Sequence, residues 1–253
     1  MLETTILAVL QGVAEFLPIS SSGHLVLGKQ LLGLREAGLR LDIFLHVGTL
    51  LSVFAFYWRV IARILVEKDW RYVLKIAASA VPAGVVGLIF KEELESAFSS
   101  PRMVGAALLF TGVVLIATRF LPRGDRDVSF GRAILMGLAQ AVAILPGVSR
   151  SGMTLAAARG ARVEAASSAE FSFLMSAPPI AGAALLEILK GAGDAALAPS
   201  AEVPWGLTIY GCILAAAVGY VSLAALVKTL KGRGFWMFGV YCLAAGALAL
   251  AIG

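Results

Sequence analysis

Gln11-Gly-Val-Ala-Glu15-Phe-Leu-Pro18-Ile-Ser20-Ser21-Ser22-Gly23-His24 has a counterpart further along the chain in Gln140-Ala-Val-Ala-Ile144-Leu-Pro146-Gly-Val-Ser149-Arg150-Ser151-Gly152-Met153-Thr154. With a one-residue slip just before each Leu-Pro, Gln11 aligns with Gln140 and Pro18 with Pro146. A second, compensating slip just after the prolines aligns Ser20-Ser21-Ser22-Gly23 with Ser149-Arg150-Ser151-Gly152. Both copies place polar residues inside apolar sequence. They keep their Pro, Ser and Gly but divide the charged groups, Glu15 and His24 in the first and Arg150 in the second. Such a division points to two half-sites that meet.

The surrounding sequence reads as membrane. Of 253 residues 59% are hydrophobic and only 15% charged, too few charges to cover a soluble domain of this size. Apolar stretches recur at roughly 41–58, 72–90, 103–121, 165–189, 205–227 and 235–252, most of them near the ~20 residues that span a bilayer. Two shorter pieces, 4–17 and 133–145, each end at Leu-Pro. Proline disfavours helix in the residue before it, so helices are expected to stop at Leu17 and Leu145. A second short helix then leaves, making a re-entrant hairpin that a bilayer tolerates only where protein or water shields the turn. Met1 to Thr5 lacks a basic segment, so no cleavable signal peptide is expected. Cys212 and Cys242 fall inside expected spans and read as packing residues. The net charge of +5 reads as basic cytoplasmic loops rather than a nucleic-acid surface.

Those loops set an orientation. Arg59, Arg63, Lys68, Arg71 and Lys75 form one basic cluster. Arg119, Arg123, Arg126 and Arg132 form a second, and Lys228, Lys231 and Arg233 a third. With segments 60–70, 122–132 and 228–234 in the cytoplasm, the 91–101 and 190–204 loops lie outside. The two hairpins then enter from opposite sides. The expected fold is an all-α polytopic membrane protein, one integral domain over 1–253. Repeat one covers about 1–125 and repeat two about 126–253, each a re-entrant helical hairpin plus three transmembrane helices. Inverted-topology repeats of this kind place their site near the midplane. Asp42-Ile-Phe-Leu-His46 also aligns weakly with Glu170-Phe-Ser-Phe-Leu174.

Gln11 and Glu15 are four apart and share a helical face. A carboxylate at membrane depth is a functional candidate by default. The serine run Ser20-Ser21-Ser22 exceeds what one helix cap needs, and His24 lies a turn beyond it. Burying Arg150 disfavours insertion by ~2.5–3.5 kcal/mol or more, which a bound anion would offset. Its planar fork fits phosphate oxygens at two points, and free N–H groups at a helix start add to the attraction. Thr154 faces the same way. The set reads as an anion clamp, a Ser or His nucleophile, and a carboxylate that either holds a divalent metal or moves a proton. Carboxylate and amide oxygens suit Mg2+ or Ca2+. His46 and the cysteines are not in a zinc-ligand spacing.

Gln11-x-x-x-Glu15 with Leu-Pro-Ile-Ser-Ser-Ser-Gly-His24, and Pro146-Gly-Val-Ser-Arg150-Ser-Gly-Met-Thr154, resemble the two signature motifs of undecaprenyl pyrophosphate phosphatase, the bacitracin-resistance family. The resemblance extends over essentially the whole chain, including 41–50 and the Phe171-Ser-Phe-Leu-Met segment. It implies removal of the terminal phosphate from a C55 polyprenyl diphosphate, giving the carrier monophosphate for cell-wall synthesis. It implies a divalent cation, Mg2+ or Ca2+, a bacterial inner membrane location, and a site opening outward. The motif match makes Glu15, Ser21, His24 and Arg150 the catalytic candidates. Ser20, Ser149, Arg150, Ser151 and Thr154 are candidates to bind substrate, and Gln11 and Glu15 to bind metal. Ser21 activated by His24 is the favoured nucleophile, with direct attack by His24 as the second reading. Expected partners are the polyprenyl diphosphate and membrane lipid, without nucleic acid; a homodimer is compatible with the pattern. Type 2 phosphatidic acid phosphatases also use Ser-Gly-His and Ser-Arg. They require a Lys-x6-Arg-Pro upstream and a His-x3-Asp downstream that this chain lacks. A lipid-phosphate transporter or flippase is the rival class, and the Ser/His cluster argues for chemistry instead.

Overall fold

The structure, a computed structural model, describes residues 1–33, 39–98, 100–193, 203–232 and 234–252. Among them the regular structure is helical, and the strand content is two isolated bridges pairing Gly124 with Glu164 and Arg126 with Val163. Both repeated motifs fold as the Leu-Pro signals require. α1 (Leu2–Ala14) and α2 (Ser21–Leu31) flank the first turn, and α8 (Phe130–Val142) and α9 (Arg150–Gly160) flank the second. The first helix of each pair stops three residues short of its Leu, so Glu15 sits at the C-cap of α1. The second helix starts the same way in both copies. Ser20 Oγ accepts from Gly23 N at 3.3 Å, and Ser149 Oγ accepts from Gly152 N at 3.1 Å. Ser21 and Arg150 are thus equivalent, each the first residue of its helix.

The remaining helices are α3 (Leu39–Phe56), α4 (Trp58–Val66), α5 (Trp70–Ile89), α6 (Lys91–Phe98), α7 (Pro101–Ala117), α10 (Ala165–Leu174), α11 (Ala177–Gly193), α12 (Trp205–Leu230) and α13 (Met237–Ile252). Among the described residues three helical stretches, Trp70–Ile89, Pro101–Phe120 and Trp205–Leu230, are long and apolar enough to cross a bilayer, and the α3–α4 pair, bent by 67°, counts as a fourth only if taken as one span. The other two expected spans differ. The 165–189 stretch breaks at Met175-Ser176, because Pro178 and Pro179 follow and deprive the next turn of donors. At 16 residues α13 is shorter than the usual span. Two stretches expected as loops are helical. α6 forms because Glu92 and Glu93 in its first turn complement the helix dipole. α4 forms because Val60, Ile61 and Ile64 pack on the core while Arg59 and Arg63 face out, the pattern of a helix lying along an interface. Of the expected outer loop 190–204, residues 194–202 lie outside the described residues, as does Arg233 of the third basic cluster.

Packing is reciprocal between the halves. α1 lies on α12 and α8 on α5, while α3 pairs with α12 and α7 with α13. Small residues permit the close approach, as is usual where lipid removes a hydrophobic drive for helix association. On the α7–α13 seam, a Cβ at Gly239 would lie 2.6 Å from the Gly112 carbonyl oxygen and one at Gly246 2.8 Å from that of Gly105. The core beneath the hairpins centres on Phe16 and Phe173, edge to face at 5.4 Å.

The seam yields a stability contrast. Gly239→Ala should destabilise the purified protein by ~1–3 kcal/mol through overpacking. Gly182→Ala, where nothing lies within 4 Å, should be neutral or stabilising through helix propensity. Thermal unfolding in one detergent decides, and equal melting temperatures for the two variants would refute the close-packed seam.

Candidate active site

The two turns meet at Glu15. One of its oxygens, Oε1, accepts from Arg150 Nη2. The other, Oε2, accepts from Ser21 Oγ at 2.6 Å and from Gln11 Nε2 at 2.9 Å. His46 Nε2 stands 3.5 Å from the same oxygen. The His46 ring is aimed by its other nitrogen, whose N–H donates to the Asp42 carbonyl at 2.8 Å. Glu15 is therefore buried but surrounded by donors, which is what makes a carboxylate at this depth tolerable. Arg150 keeps its second amino group, Nη1, buried and without a hydrogen-bond partner among the described residues. An unpaired buried guanidinium donor beside a cavity is a waiting place for an anion oxygen.

A cavity of about 260 Å3 opens beside this group. Its polar lining includes Glu15, Ser21, Ser22, His46, Gln140, Ser149, Arg150 and Ser176. Not every residue proposed from sequence reaches it. Ser20 is held as the cap of α2 at φ 71°, a left-handed conformation that a non-glycine residue adopts only under strong local constraint. Ser151 Oγ donates to the Leu17 carbonyl at 3.3 Å and so ties one turn to the other. Thr154 exchanges a 2.6 Å hydrogen bond with Ser172. Gln11 is fully buried behind Glu15, with its Oε1 unpartnered.

His24 is the main departure from the sequence expectation. Its Nδ1–H donates to the Ser20 carbonyl at 2.8 Å, and Nε2 meets the Tyr241 hydroxyl at 2.7 Å, with the two rings stacked. Both ring nitrogens are engaged away from Ser21, and His24 does not line the cavity. The base within reach of the Ser21 hydroxyl is Glu15, at 2.6 Å, whereas the His24 ring is turned toward Tyr241. His46, Gln140 and Ser176 were not singled out from sequence. The alignment of Gln140 with Gln11 was the available signal for Gln140, whose amide oxygen and nitrogen are both buried, unpartnered and on the cavity wall. For His46 the signal was a histidine inside an apolar span. Ser176 carried none beyond its place before Pro178.

Metal ligation has a narrow footing. Among the described residues no three of His, Cys, Asp and Glu gather into a metal-binding group. The oxygen donors that fit a hard cation are Glu15 and the orphaned Gln11 Oε1.

Two comparisons bear on this geometry. Residues 4–248 match the family described as bacitracin resistance protein BacA. The chain belongs to that family. A protein named undecaprenyl-diphosphatase from Pelotomaculum thermopropionicum is 37% identical, covering 99% of this chain and 96% of the relative. Its namesakes from Desulforapulum autotrophicum and Salinibacter ruber are each 36% identical, covering 98% of this chain and 96% and 97% of the relatives.

The His24 geometry fixes a tautomer. With Nδ1–H donating to a carbonyl, Nε2 is the acceptor and Tyr241 the donor. Nitrogen-15 NMR of histidine-labelled protein at neutral pH should show His24 Nε2 unprotonated, with a shift that moves in Tyr241→Phe. A protonated Nε2 that ignores Tyr241→Phe would contradict this arrangement.

Proposed function

We propose that the chain is an undecaprenyl-diphosphatase, removing the terminal phosphate of the C55 lipid diphosphate to leave the carrier monophosphate. The observation that carries this reading is the 2.6 Å hydrogen bond from Ser21 Oγ to Glu15, set beside the Arg150 amino group with no partner. Nucleophile, base and anion clamp thereby share one cavity. The printed name of the relatives supplies the substrate.

In the proposed reaction the terminal phosphoryl group enters against Arg150, whose planar fork takes two of its oxygens. The first residues of α2 and α9 line the same cavity, so the positive ends of both helices add to the field. Gln140 is placed to contact a further oxygen or a bound water. Ser21 Oγ attacks phosphorus and Glu15 receives its proton. The bond from phosphorus to the bridging oxygen breaks, Glu15 hands its proton to that oxygen, and the lipid monophosphate leaves as an anion. The carboxylate, ionised again, takes a proton from the water that attacks phosphorus and returns it to Ser21 Oγ as inorganic phosphate leaves. His46 stands ready to offset charge on Glu15. His24 acts as a positioning residue that ties the first turn of α2 to α13.

A divalent cation, Mg2+ or Ca2+, held by Glu15 and Gln11 Oε1 and completed by diphosphate oxygens, would neutralise charge on the leaving group. Serines 20, 149 and 151 and Thr154 shape the turns that deliver these groups.

The finer architecture is proposed with it. The halves form an inverted-topology repeat with re-entrant hairpins, supported by the equivalent caps and the reciprocal α1–α12 and α8–α5 packing. The location is the bacterial inner membrane, with the cavity opening to the outer face, supported by the basic clusters.

Purified protein in detergent, where transport has no meaning, should release inorganic phosphate from undecaprenyl diphosphate. Ser21→Ala should abolish turnover. Arg150→Lys should lose about a hundredfold or more, since a point charge cannot replace the fork. Near-normal release by a folded Ser21→Ala would eliminate serine attack.

Chelation should stop the reaction and Mg2+ or Ca2+ should restore it. Glu15→Gln keeps the shape but removes the charge. As a metal ligand Glu15 sets the half-saturating metal concentration, so that concentration should rise steeply in the variant. An unchanged half-saturation with a lowered maximal rate would leave Glu15 as base alone.

A further inference from the structure

α9 carries Arg150 at its first residue and Arg159 in its last turn, about 13 Å away along the helix axis. Around that far end the structure holds a second cavity, of about 430 Å3, lined by Thr118, Arg119, Leu121, Arg123, Arg159 and Trp236. Three of its six lining residues are arginines, and none is a carboxylate.

Each guanidinium is held by something other than an acid. Arg159 Nη2 donates to the Leu121 carbonyl at 3.3 Å, and its Nε is buried without a partner among the described residues. Arg123 Nη2 donates to the Gly232 carbonyl at 3.3 Å. Arg119 lies over the Trp236 ring, 4.7 Å from its centroid. Among the described residues no carboxylate forms an ion pair with any of the three. Glu164 lines the adjoining hollow with Arg123, Arg159 and Lys231. Its carboxylate is occupied as the cap of α10, accepting from Ser167 N at 2.8 Å and Ser167 Oγ at 3.1 Å. Burial raises the Glu164 pKa, but hydrogen bonds from Ala166 and Ser167 and the Lys231 charge outweigh it and hold the group below its ordinary value. Glu164 is thus ionised yet already satisfied, and the arginine cluster keeps an uncompensated positive charge.

The cavity does not end in polar surface. Thr118 and Leu121 also line an apolar groove of about 340 Å3, whose other walls are Val114, Ala117, Ala139, Met153, Ala156 and Ala157. Phe120, between the lining residues Arg119 and Leu121 in sequence, is 81% exposed, and exposed aromatic residues are common at membrane–water interfaces. A cationic chamber leading into a groove of small apolar side chains has the chemistry of one amphiphile with an anionic head.

We propose that the Arg119–Arg123–Arg159 chamber and the α7–α8–α9 groove together bind one anionic membrane lipid, its phosphoryl headgroup among the three guanidiniums and an acyl chain against Ala139, Ala156 and Ala157. This site is separate from the Glu15 cavity, shares no lining residue with it, and does not depend on the proposed phosphatase reaction. Guanidinium forks favour phosphate oxygens in two-point contact, and a basic residue near a lipid surface contributes ~1 kcal/mol toward anionic lipid.

The test uses the full chain purified in an uncharged detergent. Bound lipid is counted by native mass spectrometry during titration with dioleoyl phosphatidylglycerol or dioleoyl phosphatidylcholine. One phosphatidylglycerol should bind well ahead of the zwitterionic lipid. Arg123→Gln, at an exposed position, and Arg159→Gln should each weaken that binding about fivefold or more. Arg59→Gln, which removes the same charge from α4, should not. Ala157→Leu fills the groove without touching the charges and should also weaken lipid binding. Inorganic phosphate, followed by thermal shift, should bind far more weakly than phosphatidylglycerol. Equal binding of the two lipids, or arginine variants indistinguishable from Arg59→Gln, would overturn the proposal. Inorganic phosphate matching the lipid, with Ala157→Leu silent, would also overturn it, leaving a site for free phosphate.

Discussion

Everything at the centre of this protein depends on a buried carboxylate meeting a buried guanidinium across two chain turns that lie 135 residues apart in sequence. Neither Glu15 nor Arg150 is tolerable alone in the protein interior. An isolated charge there is disfavoured by several kcal/mol, and removing one partner of a buried pair exposes the other to the same penalty. The pair thus couples the two halves. α1 cannot place Glu15 unless α9 presents Arg150, and the reverse also holds. The Ser151 hydroxyl on the Leu17 carbonyl adds a second tie between the turns.

The duplication shows how such a site arises from one local design. Both copies end a helix ahead of Leu-Pro, turn, and begin a new helix under a serine cap. That grammar fixes backbone and leaves the first residue of the new helix free to vary. In one copy it is Ser21, in the other Arg150. The turns bring these equivalent positions together on the two oxygens of Glu15. The cost falls on Ser20, held at positive φ while its counterpart Ser149 is extended. Backbone of that kind persists where surrounding contacts over-determine it.

Local signals made the hairpins legible. Proline before the turn, serine at the cap and a four-residue Gln11–Glu15 spacing each act within one or two helical turns, and the structure follows them. The shared face became a 2.9 Å hydrogen bond. What was illegible depends on tertiary direction. His24 lies about one turn beyond Ser21 on α2, where spacing alone lets the two side chains meet. The histidine faces Tyr241 of α13, a partner 217 residues distant. His46 reaches Glu15 only because α3 packs beside α1, which no spacing encodes. The break at Met175-Ser176 was hidden because apolar composition continues across it, although Pro178 and Pro179 were in plain view. The amphipathic α4 was masked by its arginines, which drew attention to charge rather than to Val60, Ile61 and Ile64 beneath.

In the proposed reaction, the same contact that holds the halves together also lets substrate start the chemistry. At rest Arg150 has one amino group on Glu15 and the other unpartnered. A diphosphate brings several anionic oxygens, more than the single Glu15 oxygen it competes with, and the guanidinium fork is best used when both amino groups face one phosphate. As Arg150 turns toward the phosphate, Glu15 Oε1 loses its cation, while Ser21 stays bonded to Oε2. The carboxylate is then left with a hydroxyl donor, an amide donor from Gln11 and His46 nearby, and with no guanidinium competing for the incoming proton. Binding of the anion and release of the base become one event, because a single side chain cannot satisfy both partners fully. In that proposal the pairing that makes the buried charges tolerable also keeps the base engaged until a phosphoryl group replaces it.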